Sequence, residues 1–218
     1  MNREMAEVLD ALIMTLGFEP GPLIRAVASY NLKTGASIIV FTPTFKDDRT
    51  ERAYLELKKV CGMIFKDTQV SLQEVAVDLT NFIEAVKYVR ALLSKFTDKH
   101  VGICLSGGMR ALCLAVYTAY LMLEWQYNPI IEVHLEGRAE RLIIPPIHKI
   151  VKAEISEEKL NILRLLSQYK QLSIGDIANL MQKDRSTVYR HVQSLLRNGF
   201  VKQKGRIYEL TELGIMLA

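Results

Sequence analysis

The sequence predicts a mostly parallel α/β sheet domain over residues 1–150, followed by a winged helix-turn-helix domain over residues 151–218. Three observations support this division. Short apolar runs alternate with amphipathic helical patterns through the first two-thirds of the chain, which is typical of strands joined by crossover helices. Two adjacent prolines, Pro145 and Pro146, follow the last of these runs. Beyond them the pattern changes to three helices and a hairpin, with an excess of basic residues.

Apolar runs place the first four strands in chain order at Ala11–Leu16, Ser37–Phe41, Val70–Leu79 and Val101–Leu105. Two further runs, Ile130–Leu135 and Arg141–Ile144, flank the polar residues 136–140 and predict a hairpin that closes the domain. The segment from Pro145 to about Ile155 is expected to be a connector without a helix, because two prolines oppose one.

Capping residues predict where the intervening helices begin. Pro22 suits a first helical position after the first loop. Asp48, with Glu51 three residues later, resembles a capping box, and Asn81 with Glu84 begins the next helix. That helix carries one apolar face, formed by Phe82, Val86, Val89, Leu93 and Phe96.

The stretch Val101–Arg110 is the first candidate for a ligand site. A buried strand runs into the turn Ser106-Gly107-Gly108 and then into a helix that extends to about Glu124. Glycines let a ligand approach the backbone, and the first helical turn offers unpaired N–H groups, so an anion is the expected guest. The alternative is that the paired glycines only let the helix pack tightly on the sheet.

The helix after this turn is apolar nearly all round over Ala111–Leu123. A sheet can cover only one face of a helix, so the other face needs a second cover. A partner subunit is the simplest cover and predicts a homodimer, whereas other helices of the same chain are the alternative.

Cysteine, histidine and hydropathy patterns limit the protein class. The three cysteines form no Cys-x-x-Cys pair, which favours buried thiols in a reducing compartment. The four histidines lack metal-ligand spacing, so no metal site is predicted. The longest charge-free run has 13 residues, too few to span a bilayer, and residues 1–8 are too charged for a signal peptide. We therefore expect a cytoplasmic protein.

Three capped helices begin the second domain. Ser156 caps the first helix, Ser173 with Asp176 caps the second, and Asp184 caps the third. Only two residues separate the second helix from Asp184, and such a tight link is typical of a helix-turn-helix.

The third helix has a buried face and an opposite polar face centred on Arg190. Asn198-Gly199 ends this helix, and a hairpin with a Lys204-Gly205 turn predicts a basic wing. Between Lys183 and Arg206 there are seven basic side chains and one acidic one, which favours double-stranded DNA as partner. The predicted DNA contacts are Arg185, Ser186, Thr187, Tyr189, Arg190, Gln193, Lys202, Lys204 and Arg206. For any single one of these, a solvated surface position is the alternative.

Residues 186–192 (Ser-Thr-Val-Tyr-Arg-His-Val) and 195–201 (Leu-Leu-Arg-Asn-Gly-Phe-Val) also resemble the recognition helix and wing entry of MarR- and ArsR-like regulators.

Motifs for nucleotide-dependent enzymes are missing from the sequence. Neither loop has the three spaced glycines of a dinucleotide site, and no Gly-Lys-Ser/Thr sequence is present. Ser106 does not lie in a Gly-x-Ser-x-Gly turn, and no paired acid and base is evident beside the loops. The sequence therefore favours binding over catalysis and predicts neither an enzyme nor a cofactor.

Three features together resemble a known family. They are the loop Thr15-Leu16-Gly17-Phe18 after the first strand, the Ser-Gly-Gly-Met-Arg turn after the fourth, and the C-terminal winged helix. The combination resembles the CRISPR-associated Rossmann-fold (CARF) transcriptional regulators, in particular that of archaeal type I-A systems, over essentially the whole chain. The resemblance implies a Rossmann-like first domain and regulation of CRISPR-associated genes in antiviral defence.

The resemblance also implies a ligand. Both loops of each subunit would meet at the two-fold axis of a homodimer and bind a cyclic oligoadenylate, the tetra-adenylate in particular. The residues implied as ligand contacts are Thr15, Leu16, Gly17, Phe18, Ser106, Gly107, Gly108, Met109 and Arg110. Two alternatives stay open: a ring nuclease that degrades the cyclic oligoadenylate, and a winged-helix regulator that senses another phosphorylated metabolite.

Overall fold

The computed structural model describes residues 8–45, 47–135 and 140–218 of the chain. The chain divides into two compact units, Met1–Ile144 and Pro145–Ala218, so the division falls before the predicted boundary at residue 150. The described elements of the first unit are β1 (Val8–Thr15), α1 (Gly21–Ser29), β2 (Asn31–Pro43), α2 (Asp48–Ile64), β3 (Ser71–Val77), α3 (Phe82–Leu93) with a 3-10 turn at Ser94–Phe96, β4 (Val101–Cys104), α4 (Arg110–Leu121), β5 (Ile130–His134) and β6 (Arg141–Ile144).

The six strands form one sheet in the order β3-β2-β1-β4-β5-β6. All neighbours from β3 to β5 are parallel, and β6 pairs antiparallel with β5 at the edge. The predicted mostly parallel sheet and its closing pair of strands are thus confirmed. Residues 136–139 of the predicted hairpin connection lie outside the described residues.

Helices cover both faces of this sheet, which explains why its strands are nearly continuous apolar runs. Leu12 and Met14 of β1 pack with α1 and α2, whereas Ala11 and Ile13 pack with α3 and α4. The two faces of β1 therefore belong to two separate hydrophobic cores, in keeping with the alternation of side chains along a strand.

Helix caps confirm one predicted start and correct another. The Asn81 side chain accepts hydrogen bonds from the N–H groups of Ile83 and Glu84, as expected. The N-cap of α2 is Asp47, not Asp48, because the Asp47 carboxylate accepts from the N–H of Thr50. With adjacent aspartates either can cap, and only Asp47 keeps the extended backbone that an N-cap requires.

The second unit has the winged helix-turn-helix architecture that the sequence predicts. Its elements are α5 (His148–Lys152), α6 (Glu157–Tyr169), β7 (Gln171–Ser173), α7 (Ile174–Met181), α8 (Arg185–Arg197), β8 (Val201–Lys204), β9 (Ile207–Leu210) and α9 (Glu212–Ile215). The sheet is antiparallel in the order β7-β9-β8. The strand β7 is an addition to the predicted elements, since three residues show too little alternation to be recognised.

The expectation of a helix-free connector is wrong, because α5 forms within it. Pro145 and Pro146 precede this helix, and their carbonyl oxygens accept from Ile147 and Lys149. Proline opposes a helix when it lies in the interior, where its missing N–H and its ring interrupt the hydrogen bonds. Ahead of the first turn it has neither effect. Among all described helices, none is long and apolar enough to cross a membrane.

Candidate functional site

The two predicted ligand loops meet at the centre of the sheet. Strands β1 and β4 are parallel neighbours, but α1 and α4 leave their carboxyl ends toward opposite faces. The loop after β1 and the loop after β4 therefore flank the point where the strand order reverses, and ligands of open α/β sheets bind in such crevices.

Glycine allows these loops to pack backbone against backbone. A Cβ atom on Gly17 would lie 2.5 Å from the backbone nitrogen of Gly108, and one on Gly107 would lie 2.7 Å from the carbonyl oxygen of Thr15. Gly108 also has φ +96°, in the left-handed region that other residues rarely adopt. The glycines thus have a packing role, but it joins two loops rather than a helix and the sheet.

A cavity of about 780 Å³ opens beside the joined loops. Of the predicted contacts, it is lined by Leu16, Gly17, Phe18, Ser106, Gly107, Gly108 and Met109. A cavity of this size holds a ligand of several hundred daltons, and its lining combines glycines with apolar side chains.

Two of the predicted contacts do not line the cavity. Thr15 is fully buried, and its hydroxyl lies 3.4 Å from the Cys113 sulfur, so its side chain contacts α4 rather than the cavity. Arg110 is exposed at the first position of α4 and is not among the lining residues.

Residues after β2 complete the cavity wall, and sequence reasoning missed them. Phe45, Asp47 and Arg49 line the cavity, with Arg25 of α1. The Arg49 guanidinium lies 4.0 Å from the centre of the Phe18 ring, a cation–π contact, and its Nε donates to Asp47. Hydrogen bonds, first of all from the Thr50 N–H, lower the pKa of Asp47.

A signal for these residues exists, but it needs the strand order. Carboxyl ends of parallel strands meet at one edge of a sheet, so the residues after β2 come close to those after β1 and β4. The sequence alone does not show which strands are neighbours.

Next to the cavity lies a group of polar side chains around Glu132, which we call the Glu132 cluster: Tyr30, Cys104, Glu132, His134 and Arg141. Cys104, Glu132 and His134 are buried, Tyr30 is half-buried and Arg141 is exposed. The Glu132 carboxylate accepts from the Tyr30 hydroxyl and from Arg141, each at 2.8 Å, and lies 3.1 Å from Nε2 of His134. Burial, then the nearby Glu132 charge, raises the pKa of Tyr30. An acid and a base are therefore paired next to the loops, contrary to the impression from the sequence.

Three members of this cluster could ligate a metal. One ligand atom each from Cys104, Glu132 and His134 lies within 4.8 Å of the others. Burial raises the pKa of the Cys104 thiol to about 12, which disfavours the thiolate form that binds metals. Both Glu132 oxygens already accept hydrogen bonds. The donor set thus fits a hydrogen-bonded cluster better than a metal site.

The predicted DNA-contacting residues lie on one helix and one hairpin of the second unit. Val188, Val192 and Leu195 of α8 are buried, while Arg185, Ser186, Tyr189 and Arg190 are exposed and Thr187 and Gln193 are half-buried. The tight connection from α7 passes through Gln182, whose φ of 52° is left-handed.

The wing is less basic than its lysines suggest. Lys202 and Lys204 are exposed, but their ammonium groups lie 3.1 and 2.7 Å from one oxygen of Glu209. These contacts, first with Lys204 and then with Lys202, lower the pKa of Glu209 to about 2. Arg206 lies at the exposed turn between the two strands.

Family models match parts of both units. The family model of the Csa3 CRISPR-associated Rossmann-like domain matches residues 10–145, and that of the IclR helix-turn-helix domain matches residues 160–205. The helix-turn-helix match is thus to the IclR type, whereas the sequence motif resembled MarR and ArsR proteins. A relative from Saccharolobus solfataricus, the CRISPR locus-related DNA-binding protein Csa3, is 20% identical over 212 residues, which are 95% of this chain and 86% of the relative.

Two solved structures are also similar. Can2 from Sulfobacillus thermosulfidooxidans, in complex with cyclic tetra-adenylate, is 12% identical with a TM-score of 0.42 and matches 95% of this chain. Csm6 from Enterococcus italicus, bound to cyclic hexa-2'-fluoro-hexa-dAMP, is 10% identical with a TM-score of 0.48 and matches 88%. The present chain spans 61% of the first structure and 55% of the second.

Proposed function

This chain belongs to the Csa3 CRISPR-associated Rossmann-like family, and from that premise we propose that its first unit senses a cyclic oligoadenylate and thereby controls DNA binding by its second. In its broader function the chain is a CRISPR-associated DNA-binding regulator with a helix-turn-helix unit. The finer proposal depends on one observation: two glycine loops converge on one cavity at the point where the strand order reverses.

The chemistry of the cavity suits an oligonucleotide. The backbone of the glycine turn, which lines the cavity, and the start of α4, which has no side-chain cap, favour phosphate oxygens. Phe18 is 54% exposed and Phe45 is 59% exposed, and both rings line the cavity, where they offer surfaces for stacking bases. Arg25 and Arg49 add positive charge at the same wall. We propose cyclic tetra-adenylate as the ligand, because its two-fold symmetry matches a two-fold site.

We propose that a homodimer completes this site. Leu114 is 58% exposed and Met122 is 52% exposed, although α4 is buried on its other side by the sheet and α3. A partner subunit that packs on the exposed face with Leu114 and Met122 supplies the cover that an apolar helix needs. It also brings the α4 start of each protomer, with Arg110, toward the axis, which explains how Arg110 can contact a ligand that its own cavity does not reach.

We propose that α8 enters the major groove and that the wing contacts the phosphate backbone of promoter DNA. The exposed side chains Arg185, Ser186, Tyr189 and Arg190 begin the helix, which is the part that reads base edges in this motif. Thr187 and Gln193 adjoin them, and Lys202, Lys204 and Arg206 belong to the wing.

The first experiment is a binding panel of the purified chain. Thermal shift and calorimetry compare cyclic tetra-adenylate and cyclic hexa-adenylate with AMP and a sugar phosphate, so that another phosphorylated ligand would be recognised. Binding of a cyclic oligoadenylate at one per two chains supports the proposal, and a response only to mononucleotides or sugar phosphates contradicts it. Analysis of the products separates a sensor from a ring nuclease, since the paired Glu132 and His134 provide a base that ring opening could use.

A matched glycine pair links binding to the site. Gly17→Ala introduces a Cβ that overlaps the Gly108 backbone, whereas the nearest atom to a Cβ on Gly21 is 3.7 Å away. We expect Gly17→Ala to abolish ligand binding and Gly21→Ala to retain it, with DNA affinity in the absence of ligand similar for both. Equal ligand binding by both variants would place the ligand elsewhere. Coupling between ligand binding and DNA binding is tested by measuring the dissociation constant for promoter DNA with and without saturating ligand. An unchanged constant contradicts the coupling.

A further inference from the structure

The Glu132 cluster is not explained by packing. Glu132 lies on the central part of β5 with its side chain only 1% exposed, between the apolar residues Ile131 and Val133. Burial of a carboxylate carries a desolvation penalty that pairing often fails to recover, and an apolar side chain is frequently as stable. Such a residue therefore suggests a role that an apolar side chain could not fill.

The cluster contacts the ligand cavity at one end. The backbone N–H of His134 donates to the hydroxyl of Ser106 at 2.8 Å, and both residues line the cavity. The Cys104 sulfur lies 3.2 Å from the same hydroxyl. Nδ1 of His134 is buried and has no hydrogen-bond partner within the described part of the chain. The cluster is thus connected by hydrogen bonds to the Ser106 hydroxyl and to the His134 ring.

At its other end the cluster reaches elements away from the cavity. Arg141 begins β6, the last strand of the first unit, and Tyr30 caps the end of α1. Neither residue lines the cavity. Arg141 also donates to the Ser29 hydroxyl, so one guanidinium joins the end of α1 to the Glu132 carboxylate.

We propose that Glu132 is a positioning residue, which holds His134 and Ser106 in their binding geometry and makes that geometry depend on Arg141 of β6. His134 is then an additional ligand-binding residue, because it lines the cavity and its buried Nδ1 has no hydrogen-bond partner within the described part of the chain, so that a ligand seated against this side chain can supply one. This inference rests on the proposed sensing function. It adds to that function a defined route from the ligand loop to the strand that precedes the DNA-binding unit.

A double-mutant cycle tests the inference. Tyr30→Phe and Arg141→Gln each remove one hydrogen bond to Glu132, and neither replaces a residue that lines the cavity. Ser106→Ala removes the hydrogen bond between the Ser106 hydroxyl and the N–H of His134. Tyr88→Phe and Arg90→Gln on α3 are matched controls, because they make the same chemical changes outside the cluster. Binding of cyclic tetra-adenylate is measured by calorimetry for each single variant and for Ser106→Ala/Arg141→Gln.

We expect the two cluster variants to weaken binding by between about twofold and thirtyfold, the usual range for couplings of this kind. The double variant should bind the ligand only slightly more weakly than Ser106→Ala alone, because Arg141 acts through Ser106 and His134. Additive losses, or losses equal to those of the α3 controls, overturn the inference.

A second readout needs no ligand. Hydrogen exchange of the segment 105–108 and of the His134 amide should be faster in Tyr30→Phe and Arg141→Gln, and unchanged in the controls. Unchanged exchange in the cluster variants overturns the positioning role. Absence of any binding by the wild-type chain, with exchange altered as expected, instead contradicts the proposed ligand while leaving the positioning role supported.

Discussion

Replacement of Glu209 by Gln should strengthen DNA binding. Glu209 holds the ammonium groups of Lys202 and Lys204, so on the proposal that the wing contacts the DNA backbone it competes with phosphates for both. Its pKa is lowered to about 2, so the carboxylate stays charged at neutral pH. Glutamine has the same shape and no charge. It can still accept a hydrogen bond from Gln171, as Glu209 does.

The expected size follows from counterion release. The wing residues 201–210 hold three basic side chains and one acidic one, so the substitution raises their net charge from +2 to +3. Each additional phosphate contact changes the slope of log K against log salt by about 0.9, which is about eightfold in affinity near 0.1 M salt. If both lysines become available, the change is about 1.8 in slope and roughly sixtyfold in affinity.

The assay is fluorescence anisotropy with a short DNA duplex of arbitrary sequence over a series of salt concentrations. Glu154→Gln is the matched control, since it removes the same charge from the same unit outside the wing. The effect of Glu209→Gln should persist between about pH 5 and pH 8, well above the lowered pKa. An unchanged slope, or an equal change in Glu154→Gln, would refute the assignment of the wing as a phosphate contact.

Three further predictions concern stability and reactivity. Gly62→Ala in α2 should stabilise the chain by about 0.5–1 kcal/mol in urea unfolding, because a Cβ there meets no atom within 4 Å; a loss of stability would contradict this. Ser173→Ala should cost about 1 kcal/mol in the same measurement, since Ser173 and Asp176 cap α7 reciprocally; an unaltered midpoint would show that the capping box contributes nothing. Burial raises the pKa of Cys61 to about 11 and that of Cys104 to about 12, so both should resist alkylation at pH 8 until urea unfolds the protein, and rapid labelling of the folded chain would be inconsistent with that burial.

The strand pattern of the first unit could be predicted because burial on both faces leaves an unambiguous apolar record. Ile38, Val40 and Phe41 are all buried, and a run of this kind is hard to place anywhere but in a covered sheet. Caps with a single candidate, such as Asn81, were equally predictable. Where two candidates adjoin, as at Asp47 and Asp48, local chemistry permits either, and only the backbone conformation in the folded chain shows that Asp47 is the cap.

The candidate site was predictable in its loops but not in its walls. Gly17 and Gly108 stand out in the sequence because a glycine soon after a predicted strand is typical of a turn or of a close approach to the backbone. Phe45 and Arg49 carry no comparable local sign, and they reach the cavity only because β2 lies beside β1. The same holds for Glu132, which faces Cys104 through strand register rather than through any spacing along the chain.

The contact between the two glycine loops restricts how ligand preference can diverge among related proteins. Gly17 and Gly108 are 91 positions apart, yet neither can gain a side chain unless the other loop moves. A substitution at one of these glycines therefore requires a change in the other loop. A single substitution there is expected to disrupt the loop contact rather than to adjust ligand preference. If the ligand is the proposed cyclic oligoadenylate, selectivity for a ring of different size or base is expected to arise at Phe18, Phe45 and Arg49, which line the cavity with largely exposed side chains.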